Sequence, residues 1–180
     1  MAFGWLPDKT TLSYHLFMLL LLQEFQKREG EIAQIYLSST LRVEKIRMDF
    51  ELAIHLAYQD LFKIRGCYFH FSQAIWRRVQ ACPGLTSTYV SNMSFQIFVR
   101  QLVALPFLPM TELEDALEEL KLYRFEQTSP SLLHKLELFR DETCAYFASQ
   151  WLYGDFPPRL WTCWGRSSDL TNNRLVQYFL

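Results

Sequence analysis

The sequence is poor in the two residues that most often interrupt regular structure, with 6 glycines and 7 prolines among 180 residues. This scarcity excludes a low-complexity or fibrous chain. Half of the residues are apolar and 16% are aromatic, which is enough to fill a core and excludes disorder of the whole chain. The length suits one domain, or one domain with a small insertion.

An excess of charge of either sign is also missing, since the formal net charge is -1. A strongly basic protein that binds nucleic acid by bulk charge is therefore excluded. The charges are unevenly placed, because no Asp or Glu occurs from Leu61 to Thr111, whereas six acids lie in residues 112–126. This pattern is compatible with one positive face on a near-neutral protein, although ordinary solvated surface is the more frequent explanation.

Long hydrophobic runs are absent, and the longest, Leu16–Leu22, has seven residues against the roughly 20 that span a membrane. Asp8 and Lys9 precede this run and no small-residue cleavage site follows it, unlike a secretory signal. We expect a soluble intracellular protein that has no membrane partner. The four cysteines are widely spaced and form no C-x-x-C pair, so we expect free thiols, several of them buried.

Hydrophobic periodicity predicts an α/β first part. A helix capped by Thr10 or Thr11 runs to about residue 28, and a strand at 41–48 is followed by a helix at 50–61. A second strand at 64–69 leads into a helix whose apolar residues Phe71, Ile75 and Val79 recur every fourth position. Alternating strands and helices are typical of an α/β unit.

Beyond Pro83-Gly84 the pattern predicts helices only, at residues 87–102, 111–123 and 131–151. Thr111 and Glu114 have the spacing of a capping box. The chain is therefore expected to be helix-rich overall, with the α/β part first.

Asp49 is placed where a carboxylate suits metal chemistry. It follows a predicted strand and precedes a predicted helix, and side chains at such a sheet edge commonly hold hard divalent ions. Aspartate is also a good helix N-cap residue, so this alternative stays open. Glu51 is expected to be a solvated acid at the start of the helix.

Cys67 and His70 form a Cys-x-x-His pair, whose thiolate and imidazole can share a zinc ion. A complete site needs two further ligands, and His15, His55 and His134 stand in no paired spacing. The alternative is a packed thiol beside a hydrogen-bonded imidazole. A Cys–His protease has no orienting partner in the sequence, and the common nucleophile, phosphate-binding and metalloprotease motifs are missing.

Several short groups of residues follow one another in an order found in a known family. The first groups are Leu6-Pro7-Asp8-Lys9 with Tyr14, Asp49-Phe50-Glu51 with Ala53, and Gly66-Cys67-Tyr68-Phe69-His70-Phe71 with Gln73-Ala74. The later groups are Gly84-Leu85 with Tyr89, Arg100 with residues 102–109, Tyr146-Phe147 with Trp151, residues 157–161, and Thr171-Asn172-Asn173. In this order the chain resembles the Mutator-like element (MULE) transposases over nearly its whole length.

The resemblance implies an incomplete RNase H-like α/β core with a mostly helical insertion. It makes residues 1–82 the partial core without its first strands, 83–154 the insertion, and 155–180 the return to the core and the start of its last helix. In that family three carboxylates hold two Mg²⁺ ions, which act at a DNA phosphodiester. Asp49 matches the second acid, and Cys67 and His70 match the Cys-x-x-His signature of the family.

The chain also departs from the family pattern. The first catalytic aspartate would lie on a strand upstream of residue 1, and the position of the third acid holds Val176. Leu170 stands where the family commonly has Arg. Because one acid cannot position two metal ions and valine cannot ligate one, we expect a fragment of a nuclear DNA transposase that does not cut DNA by itself.

Two alternative functions stay open. One is a residual DNA-binding module that contacts phosphates without base specificity, through Arg65, Arg77, Arg78 and Arg100. The other is a helical interaction module, in which residues 86–151 pair with a second copy or with another transposase chain. Exposure of apolar residues such as Phe3, Trp5 and the Leu16–Leu22 run would favour such association.

Three tryptophans, Trp151, Trp161 and Trp164, could in principle stack on nucleic-acid bases. Core packing is the more frequent role of such residues, and we predict that role for all three.

Overall fold

In the computed structural model, helices dominate the described residues, which are 10–14, 16, 19–20, 45–58, 63–126 and 128–166. This confirms the expectation of a helix-rich chain. The chain divides into two compact units, Met1–Arg65 and Gly66–Leu180. None of the helices among the described residues is both long enough and apolar enough to cross a bilayer.

The first unit begins with an N-terminal helical segment, seen at residues 11–14, 16, 19 and 20. Thr10 caps it, because its Oγ1 accepts a hydrogen bond from the Ser13 N–H at 3.2 Å. Its backbone oxygen accepts the first helical hydrogen bond, from Tyr14 at 3.1 Å. The predicted helix start is thus confirmed, while residues 21–28 and 41–44 of the predicted elements lie outside the described residues.

A strand, a helix and a second strand complete the first unit, as the periodicity predicts. They are β1 (Lys45–Met48), α1 (Leu52–Tyr58) and β2 (Lys63–Gly66). The two strands pair in a two-stranded sheet. β2 ends earlier than predicted because Cys67 already serves as the N-cap residue of the next helix.

The second unit is helical throughout its described residues. Its α-helices are α2 (Tyr68–Ala81), α3 (Leu85–Ser91), α4 (Met93–Ala104), α5 (Leu113–Lys121), α6 (Pro130–Phe147) and α7 (Pro158–Trp161). Short 3₁₀ turns occupy Leu105–Phe107 and Met110–Glu112, and a π-helical turn, Ala148–Leu152, extends α6. The predicted division of the chain at residue 82 rests on a family insertion and stays a prediction.

Two helix boundaries differ from the predicted ones. The single helix predicted at 87–102 is broken at Asn92, whose side chain accepts a hydrogen bond from the Phe95 N–H at 2.8 Å and starts α4. The capping box at Thr111 and Glu114 is wrong, because Thr111 lies inside a 3₁₀ turn that follows Pro109. Glu112 takes the N-cap position of α5 without a side-chain hydrogen bond.

The core of the second unit is aromatic. Phe71, Ile75 and Val79 are fully buried along α2, as their spacing predicts. Phe71 stacks on Trp161 with the ring centroids 5.3 Å apart and meets Trp151 edge-on at 5.0 Å. Trp151 and Trp161 are therefore core residues, as predicted.

Trp164 contradicts the prediction of core packing, since 61% of its surface is exposed. It lies in a turn beside Gly165, three residues beyond the end of α7.

Candidate functional site

Asp49 is exposed to solvent and lies in the short connection between β1 and α1. The connection is held from inside the first unit by His55, whose ring Nε2 donates a hydrogen bond to the Asp49 backbone oxygen at 2.8 Å. The His55 ring also stacks on Phe50, with the ring centroids 6.0 Å apart and the planes 9° from parallel. One histidine of α1 thereby contacts both the Asp49 carbonyl and the Phe50 ring that follows it.

His55 is buried, with 4% of its surface exposed. Burial lowers its pKa below the usual value for histidine, and the hydrogen bond to the Asp49 backbone offsets part of this effect. At neutral pH the ring is therefore neutral and carries its proton on Nε2, because a carbonyl oxygen can only accept. His55 thus acts as a structural donor in this connection.

Glu51 occupies the N-cap position of α1, since its backbone oxygen accepts the first helical hydrogen bond, from His55 at 3.2 Å. Asp49 lies two residues before this backbone position, and its role as a capping residue stays a prediction. Glu51 is half-buried and its carboxylate accepts a hydrogen bond from the Tyr14 hydroxyl at 2.9 Å. Burial, followed by the hydrogen bond and the charge of Glu51, raises the pKa of Tyr14 to about 12.

The donor set near Asp49 does not make a magnesium site among the described residues. No group of three or more His, Cys, Asp or Glu side chains in that part of the chain could hold a metal ion. The role of Asp49 as a metal ligand stays a prediction. Val176, Leu170 and the Thr171-Asn172-Asn173 run lie outside the described residues.

Cys67 and His70 stand at the start of α2, in the second unit. Cys67 is the N-cap residue and His70 the third helical residue, which are the two positions that face each other in a capping box. Cys67 is fully buried and its side chain makes no capping hydrogen bond, whereas His70 is half-buried with its ring edge-on to Phe69. Zinc at this pair stays a prediction.

No disulfide joins the four cysteines, all of which are among the described residues. Three of them are buried, as the sequence predicts. Burial raises the pKa of the Cys144 thiol to about 11, so this side chain stays protonated and unreactive near neutral pH.

Arg77 on α2 and Arg100 on α4 are exposed cations of the second unit. Neither forms an ion pair with another residue in the described part of the chain. The helices α2, α3 and α4 contain no Asp or Glu at all. Both guanidinium groups can therefore attract anions without competition from a carboxylate on their own helices.

The other two predicted DNA contacts are more enclosed. The Arg78 guanidinium lies over the ring of Tyr146, 4.4 Å from its centroid, and its Nε is buried without a hydrogen-bond partner. Arg65 is half-buried on β2 and belongs to the first unit. Arg78 therefore contributes to the packing of α2 on α6, and the roles of all four arginines at DNA stay predictions.

Sequence reasoning missed the surroundings of Tyr123, which follows α5. Its hydroxyl donates to the Ser94 backbone oxygen at 3.0 Å, and its own backbone oxygen accepts from Arg140 at 2.8 Å. A cavity of about 360 Å³ and another of about 530 Å³ both border this side chain. No local sequence pattern predicts these cavities, because each lies between two separate segments: residues 101–108 with 116–123 in one, and residues 91–97 with 123–126 in the other.

Comparison with known proteins gives no family for this chain: no protein-family model matches it, and no match is found among curated proteins or among solved structures. The resemblance to MULE transposases is therefore a hypothesis that rests on the residues themselves.

Proposed function

We propose that the chain is a fragment of a MULE-type DNA transposase that binds DNA through its helical unit and does not cleave it. The observation that carries the proposal is the absence of acid from α2, α3 and α4, together with the two exposed guanidinium groups on them. A phosphate backbone is attracted to such a surface without base specificity. The resemblance to this family implies that the protein would meet DNA in the nucleus.

The strand–helix–strand arrangement of the first unit supports the proposed origin. An RNase H-like core would contain such a unit, with a catalytic carboxylate directly after a strand, which is where Asp49 stands. Most of the helical second unit falls in the proposed insertion, residues 83–154, and in the proposed return to the core, whereas α2 falls in the proposed core. The Cys67 and His70 pair then begins that unit.

The proposed loss of DNA cleavage follows from the missing carboxylate ligands for the two magnesium ions. In the family, magnesium ions activate the attacking hydroxyl and stabilise the leaving oxygen. The donors present here do not fit two such ions, because the third-acid position holds Val176, whose side chain has no donor atom. No step of DNA cleavage is assigned to this chain.

DNA binding is tested by fluorescence anisotropy with a labelled duplex of arbitrary sequence. We expect an affinity that falls steeply as salt rises from about 50 mM to about 200 mM. Replacing Arg77 and Arg100 together by Ala should weaken binding equally for all sequences and reduce the salt slope by about 1 per arginine. Arg124→Ala is the matched control, since Arg124 is an exposed arginine beside the acid-rich helix α5.

Two results would contradict the proposed binding. One is an affinity of the native chain that does not depend on salt, and the other is an Arg124→Ala variant that loses as much affinity as the double variant. Absence of cleavage is tested with supercoiled plasmid and Mg²⁺ or Mn²⁺. Nicking by the native chain that disappears in Asp49→Asn would show that the site is complete.

A further inference from the structure

Four leucines form an exposed apolar stripe on the N-terminal helical segment, here named the leucine face. Their exposed fractions are 66% for Leu12, 52% for Leu16, 39% for Leu19 and 63% for Leu20. With about 100° of rotation per residue, all four fall on one side of the helix. Patches of this kind on soluble proteins usually mark interaction surfaces.

The opposite side of the same segment is already engaged within the first unit. Tyr14, two residues from Leu12 and therefore about 200° around the helix, is buried and donates its hydroxyl hydrogen to Glu51. The segment is thus anchored by its tyrosine side. Its orientation turns the leucine face away from that anchor.

We propose that the leucine face pairs with the same face of a second copy of this chain across a two-fold axis. Leu12, Leu16 and Leu19 follow the spacing of four and then three residues at which apolar residues recur in coiled coils. This inference is independent of the proposed DNA binding, which uses arginines of the second unit.

The charge of the surface favours a second copy over other partners. Residues 10–22 contain no Asp, Glu, Lys or Arg, so two identical faces meet without repulsion between like charges. An acidic or basic protein partner, or DNA, finds no complementary charge there. Helices that lie on membrane surfaces carry Lys or Arg on their polar face, and this stretch has none.

The size of the face limits the affinity. Together the four leucines expose about as much surface as two fully exposed leucine residues. Stable dimers bury roughly 800 Å² on each partner, so a smaller face gives a weak and reversible association.

Sedimentation velocity of the full chain, at concentrations from below to well above micromolar, tests the proposal. We expect a monomer–dimer equilibrium. Leu16 is the central position of the face and meets its own counterpart in either helix orientation, so Leu16→Glu and Leu16→Lys should each weaken association about tenfold or more. An equimolar mixture of the two variants should recover the dimer, because opposite charges then meet at the axis.

Val90→Glu is the matched control, since Val90 is 80% exposed on α3 in the second unit. This variant should dimerise like the native chain, and circular dichroism should show all variants equally helical. A native chain that stays monomeric, a Val90→Glu variant that becomes monomeric, or a mixture that fails to recover the dimer would overturn the proposal. Monomers that bind neutral phosphatidylcholine vesicles through Leu16 would assign the face to a lipid surface instead.

Discussion

The indole N–H of Trp161 donates to the backbone oxygen of Trp151 at 2.8 Å, and also to that of Phe156 at 2.9 Å. One donor thus serves two carbonyl groups, one inside the π-helical turn and the other four residues after its end. The ring that carries this donor also stacks on Phe71 at the start of α2. The Trp161 side chain therefore links the start of α2 to the segment that contains Trp151 and Phe156.

Replacing Trp161 by Phe keeps an aromatic ring but removes the donor. Both backbone oxygens then lose this hydrogen bond in a buried site, so we expect the free energy of unfolding to fall by about 1–3 kcal/mol, measured by urea denaturation. Trp164→Phe is the control, because Trp164 is largely exposed and its replacement should change stability by less than about 0.5 kcal/mol. Equal losses in both variants would contradict the assignment.

Gly154 is required by the close approach of the backbone after the π-helical turn. A Cβ atom at this position would lie 2.1 Å from the backbone oxygen of Ser149, which cannot move aside as a flexible side chain can. We therefore expect Gly154→Ala to lower the free energy of unfolding by about 2–3 kcal/mol or more.

Gly165→Ala provides the comparison for Gly154. A Cβ at Gly165 meets nothing within 4 Å, but the backbone has a φ of +70°, so left-handed strain alone should cost about 1 kcal/mol. If Gly165→Ala proved the more damaging of the two in thermal or urea unfolding, the crowding at Gly154 would be refuted.

The buried His55 should make the first unit sensitive to acid. Because the folded state lowers the pKa of this ring, the unfolded chain takes up its proton first as pH falls. The stabilising effect of neutral His55 is present above the unfolded value of about 6.5 and is lost progressively below it.

His55→Gln retains an N–H donor but cannot be protonated, so its melting temperature should change less than that of the native chain between about pH 7.5 and pH 5. His134→Gln, which alters an exposed histidine of α6, is the matched control for the loss of a histidine. A native chain whose melting temperature stays flat over this range would contradict the argument.

Periodic segments of the fold were predictable from the sequence. The spacing of Phe71, Ile75 and Val79 is enough to identify the buried side of α2. In the same way, Thr10 marks the start of the N-terminal helical segment. The division at Asn92 was missed because the apolar pattern continues across it, although Asn is a strong N-cap residue. The misplaced start of α5 has a similar origin, since the backbone after Pro109 prefers a 3₁₀ turn to the predicted capping box.

The candidate site was predictable only in part. The position of Asp49 after a strand follows from the local pattern, and the structure agrees with it. The hydrogen bond from His55 to its backbone could not be inferred, because it depends on the direction in which the connection turns before α1. The same holds for Arg78 and Tyr146, which are 68 positions apart in the sequence and meet only through the packing of α2 and α6.

The contrast between the acid-free helices α2 to α4 and the acid-rich helix α5 gives a nearly neutral molecule a charge asymmetry along its sequence. We expect a polyanion to attract the arginines of α2 and α4 and to repel the acids of α5, which would orient the molecule before contact. On ion-exchange resins near neutral pH, the same asymmetry should cause weak retention by both anion and cation exchangers.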